Sequence, residues 1–315
     1  MLKDHLHLQA ANTRKSYRSD LHYFWAWAKL AAGVDERYPV VPVLMAKFVR
    51  QHLEGLDPEV EEALRAAGAK RKAGPLAVAT IERRVAAVRS YHRRERLDPP
   101  VDRDVLDLLR AGRRARAESG GQKKKRALIR PLLERLLGTC TDEDLTDVRD
   151  AAVLLVGWGS GGRRRSEIAA IQVADVEADG EDYTILVTKS KTDQEGRGAR
   201  VPVAGRAASA LRLWLAMSSL TEGALFRHVV ARTVGEALRP EDVTRIVQRR
   251  AELAGFPPGE FGAHSLRSGF LTQAGRDGIH IGEAMRMSLH KDVQVALGYH
   301  EAGATLKNPA ARLAG

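Results

Sequence analysis

The sequence predicts a mainly α-helical protein with one small antiparallel β-sheet, divided into two domains. Three observations lead there. Apolar residues recur three and four apart along most of the chain, the spacing that puts them on one face of a helix. The one clear hairpin signal is the pair of runs Tyr183–Thr188 and Ala199–Val203 around a polar turn region. A basic stretch over residues 114–127 lies between two segments, each long enough to bury its own core.

The first domain, residues 1–113, reads as helices in sequence. Asn12 and Thr13 are candidate caps for a segment carrying Tyr17, Leu21, Phe24, Trp25 and Ala28. Pro42 precedes a second pattern through Leu44, Met45, Phe48, Val49 and Leu53. Gly68 and Gly74–Pro75 mark a loop, and Thr80 is a candidate cap for a helix through Ile81, Val85, Val88 and Tyr91. The other face of that helix carries Arg83, Arg84, Arg89, Arg93 and Arg94. Pro99–Pro100 ends the unit, and a short helix follows through Val105, Leu106 and Leu109. Tyr23, Phe24, Trp25 and Trp27 are expected in the core in preference to a base-stacking platform.

From Arg110 to Arg130 nine basic residues stand against one acid, Glu118, with Ser119–Gly121 in the middle. Residues 114–127 are expected to be an exposed, flexible linker. Such a charge run is either a solvated tether or a strip lying along a phosphate backbone. The second domain, 128–315, opens with helical periodicity over Leu132–Leu137 and Asp147–Val156. After the hairpin, helices are expected over about 206–217, 241–254, 265–276 and 281–288. A short helix from near Leu306, or a frayed tail, ends the chain.

The chain carries 51 Lys and Arg against 40 Asp and Glu, a net charge of +11. That excess asks for a polyanionic partner, and nucleic acid is the default. The single cysteine, Cys140, excludes an intrachain disulfide and a cysteine-rich metal site. The N-terminus lacks the apolar core of a signal peptide, and the longest apolar run, Ala151–Trp158, is too short for a bilayer. A soluble protein in a prokaryote-like cytoplasm, where the DNA is, is expected, with no membrane partner.

Four short segments of the second domain carry chemistry. They are Gly161–Glu167, Ser190–Gly196 at the hairpin tip, His264–Arg267, and Leu289–His290 followed by Tyr299. His264 and Arg267 are three apart and share a helix face. An arginine fork matches two phosphate oxygens, and two from separate segments can clamp one phosphodiester. Donors fixed there stabilise charge that builds in the transition state. Lys191 suits protonation of a departing alkoxide. A tyrosine can hold a covalent phosphoester that later re-closes without ATP, because a phenol of pKa about 10 leaves more readily than a sugar hydroxyl.

Together these segments resemble the tyrosine recombinase or phage integrase family, which includes the lambda-type integrases, Cre and the Xer recombinases. The family pattern is Arg…Lys…His-x-x-Arg…His/Trp…Tyr. Here Arg267 and His290 are 23 residues apart, and His290 and Tyr299 nine. SKTDQEGRG, HSLRSGF and HKDVQVALGY resemble bacterial and phage-borne integrases, and the resemblance spans essentially the whole chain.

The resemblance implies a helical core-binding domain and a catalytic domain that clamp around DNA. It assigns Tyr299 as nucleophile, with Arg164, Lys191, His264, Arg267 and His290 as the other catalytic residues. Arg164 is chosen because it stands three before Glu167, which is expected to be structural. The implied reaction forms a 3′-phosphotyrosyl link, releases a 5′-hydroxyl and exchanges strands through a Holliday junction, with no metal or other cofactor. The implied partner is a duplex site with inverted-repeat half-sites, bound by a homotetramer through the C-terminal helix. Arg83, Arg84, Arg89, Arg93, Lys123, Lys124, Lys125 and Arg126 become candidate DNA contacts, or are simply wet.

The chain departs from the pattern in places. Arg163 takes a position that is usually apolar, so three arginines run together. Leu289 replaces the usual glycine before His290, and His300–Glu301 follow Tyr299 where a basic residue is more common. Lys189 competes with Lys191 for the hairpin role. The alternatives are a catalytically silent DNA-binding protein of the same fold and a relaxing enzyme of the type IB topoisomerase kind.

Overall fold

The computed structural model describes residues 11–36, 39–120, 125–188 and 198–305. The chain divides into two compact units, Met1–Lys123 and Lys124–Gly315. Lys123, Lys124, Lys189, Lys191 and the expected C-terminal helix from Leu306 lie outside the described residues.

The first unit is helical: α1 (Ala11–Ala32), α2 (Pro42–Glu54), α3 (Pro58–Ala66), α4 (Val78–Glu95) and α5 (Arg103–Glu118). Prolines at the first turn start α2 and α3, where a missing N–H costs nothing. Asp57 and Asp102 accept backbone N–H groups at the starts of α3 and α5. Phe24, Trp27, Met45, Phe48 and Ile81 are fully buried and form the core. The aromatic cluster is therefore packing, with Trp25 half-buried against Tyr91.

Several expectations need correction. Asn12 and Thr13 lie inside α1, and Thr80 lies inside α4, which Ala77 precedes as cap. Helix α3 was not expected, because its nine residues offer only Val60 and Leu64 as apolar spacing. Helix α5 is 16 residues long and runs through Glu118, so residues 114–118 are helix and not linker. Alanines alternate with arginines there and favour helix. At the other end, Arg126 N donates to Glu260 O (3.1 Å) and Leu128 N to Ser265 O (2.9 Å). Lys125 and Arg126 thus belong to the second unit's surface.

The second unit begins with α6 (Arg130–Leu137), α7 (Leu145–Gly159) and α8 (Arg165–Ala170). A 3-10 turn (Val173–Asp175) leads to β1 (Val176–Asp179), β2 (Asp182–Val187) and β3 (Ala199–Val203). These form an antiparallel sheet in that order, with Ile185 opposite Val201. Ile185, Val187, Val201 and Val203 alternate inward. Then come α9 (Arg206–Ser218), β4 (Arg227–Val230), β5 (Thr233–Ala237), α10 (Pro240–Leu253), α11 (Ala263–Arg276), α12 (Ile281–Ser288) and α13 (Val293–Ala304).

The hairpin β4–β5 is a second small sheet beyond the one expected. Its turn residues, Ala231 and Arg232, both have positive φ (49° and 64°). The backbone adopts the twist of a hairpin turn without the Asn-Gly or Asp-Gly signal that would have shown it in the sequence. Helix α7 is buried between α9 and α11. Asp150 on α7 is fully buried and accepts hydrogen bonds from Arg149 (2.7 Å), Arg250 (2.7 Å) and Arg249, which fixes α10 against α7. Among the described residues no helix is long and apolar enough to cross a membrane.

Candidate active site

The loop between α7 and α8 starts the site. Gly162 has φ +69°, and a Cβ there would lie 2.5 Å from the Cα of Arg267, so only glycine lets this loop press on α11. The loop delivers Arg164 to the cap of α8. Glu167, one turn on, is buried (3%) and takes two hydrogen bonds from Arg164: its backbone N–H at 3.1 Å and its Nη1 at 2.5 Å. The carboxylate holds the guanidinium in place while leaving part of it open.

Helix α11 supplies His264 and Arg267 from one face. Arg267 is buried, donating from Nη1 to the Gly162 carbonyl (3.0 Å) and from Nε to His290 Nε2 (3.0 Å). Among the described residues its Nη2 has no hydrogen-bond partner. Burial, with Arg164 nearby, pulls its pKa down to about 9. A guanidinium this dry with a spare donor is a site for an anion. Because Arg267 Nε–H must donate, His290 Nε2 accepts. The ring's other nitrogen, Nδ1, then carries the proton and donates to Ser288 Oγ (2.8 Å). Burial and the neighbouring arginines hold His290 neutral, with a pKa down to about 3.

Tyr299 sits on α13, a helix the sequence did not show because Gly298 and Gly303 interrupt its pattern. It packs against a small core of Leu271, Ala274, Ala284 and Ala296, and Thr272 Oγ1 donates to its carbonyl (3.2 Å). Its hydroxyl is 3.0 Å from His264 Nε2. Burial first, then Arg267 and Arg164, lower the pKa of His264 below its ordinary 6.5. The histidine is therefore neutral at pH 7 and able to accept the phenol proton.

Lys125, Arg164, Arg165, His264 and Arg267 line one pocket beside this pair. Lys125 Nζ donates to the Gly259 carbonyl at its rim. The three neighbouring arginines all line this pocket but differ in exposure. Arg163 is buried at its wall, Arg164 is partly exposed, and Arg165 is half exposed, 3.8 Å from Glu241. Four elements thus bring Arg164, His264, Arg267, His290 and Tyr299 together: Arg164, His264 and Arg267 line a positive pocket, Tyr299 meets His264, and His290 meets Arg267. The profile of the phage integrase family matches residues 130–304, which span all five and more than half of the 315-residue chain.

This chain belongs to the phage integrase family, the tyrosine site-specific recombinases. It is 28% identical over 314 residues to the integrase/recombinase xerD homolog of Selenomonas ruminantium, covering 96% of this chain and 85% of the relative. Its fold is similar to that of XerH site-specific recombinase bound to palindromic difH substrate in a post-cleavage complex (TM-score 0.64, 17% identity, 95% of this chain and 79% of the other). It is also similar to a lambda integrase dimer bound to a COC′ core site (TM-score 0.58, 15% identity, 93% and 90% covered).

Two departures of this integrase from the family pattern have local explanations. Leu289 caps α12 in the left-handed conformation (φ 53°, ψ 39°), which is where glycine is favoured. Its side chain packs on the core of the second unit. His300 Nε2 is bound to the Ile279 carbonyl (2.7 Å), so it ties α13 to the start of α12. Ser288, buried beside His290, was not singled out from sequence, and a serine two residues from a histidine carries no signal of its own.

Among the candidate DNA contacts, Arg89 and Arg93 are exposed on α4. Arg83 is exposed but bidentate to Asp20 (2.7 and 2.9 Å). Arg84 is not on a wet face: its side chain is 11% exposed, 3.2 Å from the Tyr23 ring centroid and 3.6 Å from Asp20. An aromatic face and a carboxylate offset its desolvation there. Arg126 is paired with Glu260 (2.8 Å).

Proposed function

We propose that this integrase is an active site-specific recombinase in which Tyr299 attacks a DNA phosphate. The observation that carries the reading is the 3.0 Å contact between the Tyr299 hydroxyl and neutral His264, beside Arg164 and beside Arg267, whose Nη2 has no partner among the described residues. His264 takes the phenol proton as the Tyr299 oxygen bonds to phosphorus. Arg164 and Arg267 bind the two non-bridging oxygens, where charge grows in the transition state. The bond from phosphorus to the 5′-oxygen breaks, and Lys191, matched through the family pattern, supplies the proton to that oxygen. A 3′-phosphotyrosyl link and a 5′-hydroxyl result. One phosphoester has replaced another, so a 5′-hydroxyl from a second duplex can reverse the step and pass the strand through a Holliday junction.

In the same reading the helical first unit binds the half-site, with Arg89 and Arg93 available to phosphates. A homotetramer assembles on inverted repeats, joined by the C-terminal segment, in a prokaryotic cytoplasm or one hosting a mobile element. The 28% identical relative, named an integrase/recombinase, and the DNA-bound XerH and lambda integrase folds support this. The test uses a duplex recovered by selection for binding, nicked near the cleavage point so that the released strand diffuses away. The wild-type chain is expected to accumulate a covalent adduct and Tyr299→Phe none. Binding without an adduct in the wild type would identify a silent DNA-binding protein, and relaxation of any supercoiled plasmid a topoisomerase-like one.

A further inference from the structure

One arginine of the run is left without a task in this chemistry. Arg163 is 1% exposed, and its Nη2 donates to the carbonyl of Met287 (2.5 Å), in the last turn of α12. A weaker contact, 3.4 Å, reaches the Gly161 carbonyl. The approach is close: Gly161 has φ +103°, and a Cβ there would lie 2.2 Å from the Met287 oxygen. The cost of the charge is plain. Among the described residues Nε and Nη1 have no hydrogen-bond partner and the nearest carboxylate (Glu167) is 3.8 Å away, and burial draws the pKa down to about 10. An apolar side chain of the same size fills the same volume without that cost.

The location explains what the charge does. The last carbonyls of a helix have no partner within it, and Arg163 satisfies one at the place where the chain turns toward the nucleophile. After Met287 comes Ser288, bonded to His290 Nδ1. Then comes Leu289 in its left-handed turn, and then His290, bonded to Arg267. Three residues further on, α13 begins and carries Tyr299. Arg163 and Arg164 are neighbours in the chain. One guanidinium grips the elbow between α12 and α13 from the wall of the pocket, while the next is partly exposed in it.

We infer that Arg163 is a positioning residue that clips the α12–α13 elbow to the Arg164 loop, holding His290 and Tyr299 in register with Arg164 and Arg267. The packing of α13 on α11 through Leu271, Ala274 and Ala296 remains without the clip, so its loss loosens the elbow while the unit stays folded. The consequence for catalysis rests on the function proposed above. The clip itself does not.

Two variants of the full chain test it. Arg163→Met keeps the volume and removes the fork, and Arg163→Lys keeps a charge and a donor. Without DNA, hydrogen exchange over residues 289–304 is expected to quicken about tenfold or more in the Met variant, with α7 unchanged. On the selected, nicked duplex, adduct formation at saturating protein is expected to slow by about 10- to 100-fold, as for a displacement of about 1 Å at a reacting group. Affinity for the duplex should stay within about threefold, since the contact is made within the chain. The Lys variant should recover part of both losses. Unchanged exchange at the elbow, or faster exchange spreading equally through α7, overturns the inference, as does wild-type cleavage by the Met variant. A wild type that forms no adduct defeats the proposed function instead, and the exchange measurement still decides the clip.

Discussion

In the first unit, Arg83 and Arg84 share one buried carboxylate, Asp20, and Arg84 also covers the ring of Tyr23. In the second, Arg163, Arg164 and Arg267 gather around Glu167, with Lys125 and Arg165 on the same pocket. Both are arginine clusters with a single acid at the centre. The first is closed over by an aromatic face, and its charge serves packing. The second keeps an open side. Among the described residues both clusters hold buried donors without a partner, Nε and Nη1 of Arg84 and Nη2 of Arg267, but Arg84 lies against the Tyr23 ring while Arg267 lies beside the Tyr299–His264 pair. A dry positive charge next to a tyrosine hydroxyl and a neutral histidine is arranged for a ligand that brings negative charge to that tyrosine. The same residue type therefore supports a fold in one unit and chemistry in the other, and only its surroundings tell which.

Substitutions should separate the two clusters. The largest effect is expected from Arg267→Ala, which removes a clamp on the phosphate: adduct formation should fall about 10²- to 10³-fold or more, measured in a single turnover at a temperature where the variant is fully folded. Arg84→Met should do the reverse, costing about 1–3 kcal/mol of stability in denaturant unfolding while the adduct chemistry of the second unit persists. If Arg84→Met left stability untouched and weakened DNA binding, the first cluster would be a binding surface after all.

Acidity should distinguish them further. His264 must be neutral to accept the Tyr299 proton, and its pKa lies below 6.5. The cleavage rate should thus be flat in this group at pH 7–8 and fall only below pH 6.5. An ascending limb centred above pH 7 would contradict a depressed His264. The smallest effect is expected at Leu289. Leu289→Gly exchanges a left-handed strain of roughly 1 kcal/mol for lost side-chain packing of similar size. Thermal unfolding and cleavage should both stay near wild type.

Much of this was legible in the sequence. Helix periodicity located α7, α9, α10, α11 and α12, because their apolar faces are regular. The His-x-x-Arg pair and the spacing to Tyr299 pointed to one site, because helix geometry alone puts His264 and Arg267 on one face. What remained hidden was what local spacing does not encode. The turn at Ala231–Arg232 has hairpin geometry without hairpin residues. Arg84 looks like its neighbours on α4 until Tyr23 is seen beneath it. The partners that set the tautomer of His290, Ser288 and Arg267, come from two elements brought together only by the fold.

The most direct measurement is to digest the trapped complex and locate the attached nucleotide by mass spectrometry. The expected result is a deoxynucleotide joined through its 3′-phosphate to Tyr299, with a free 5′-hydroxyl on the released strand. A nucleotide on any other residue, or a 5′-phosphate attached to the protein, would contradict it.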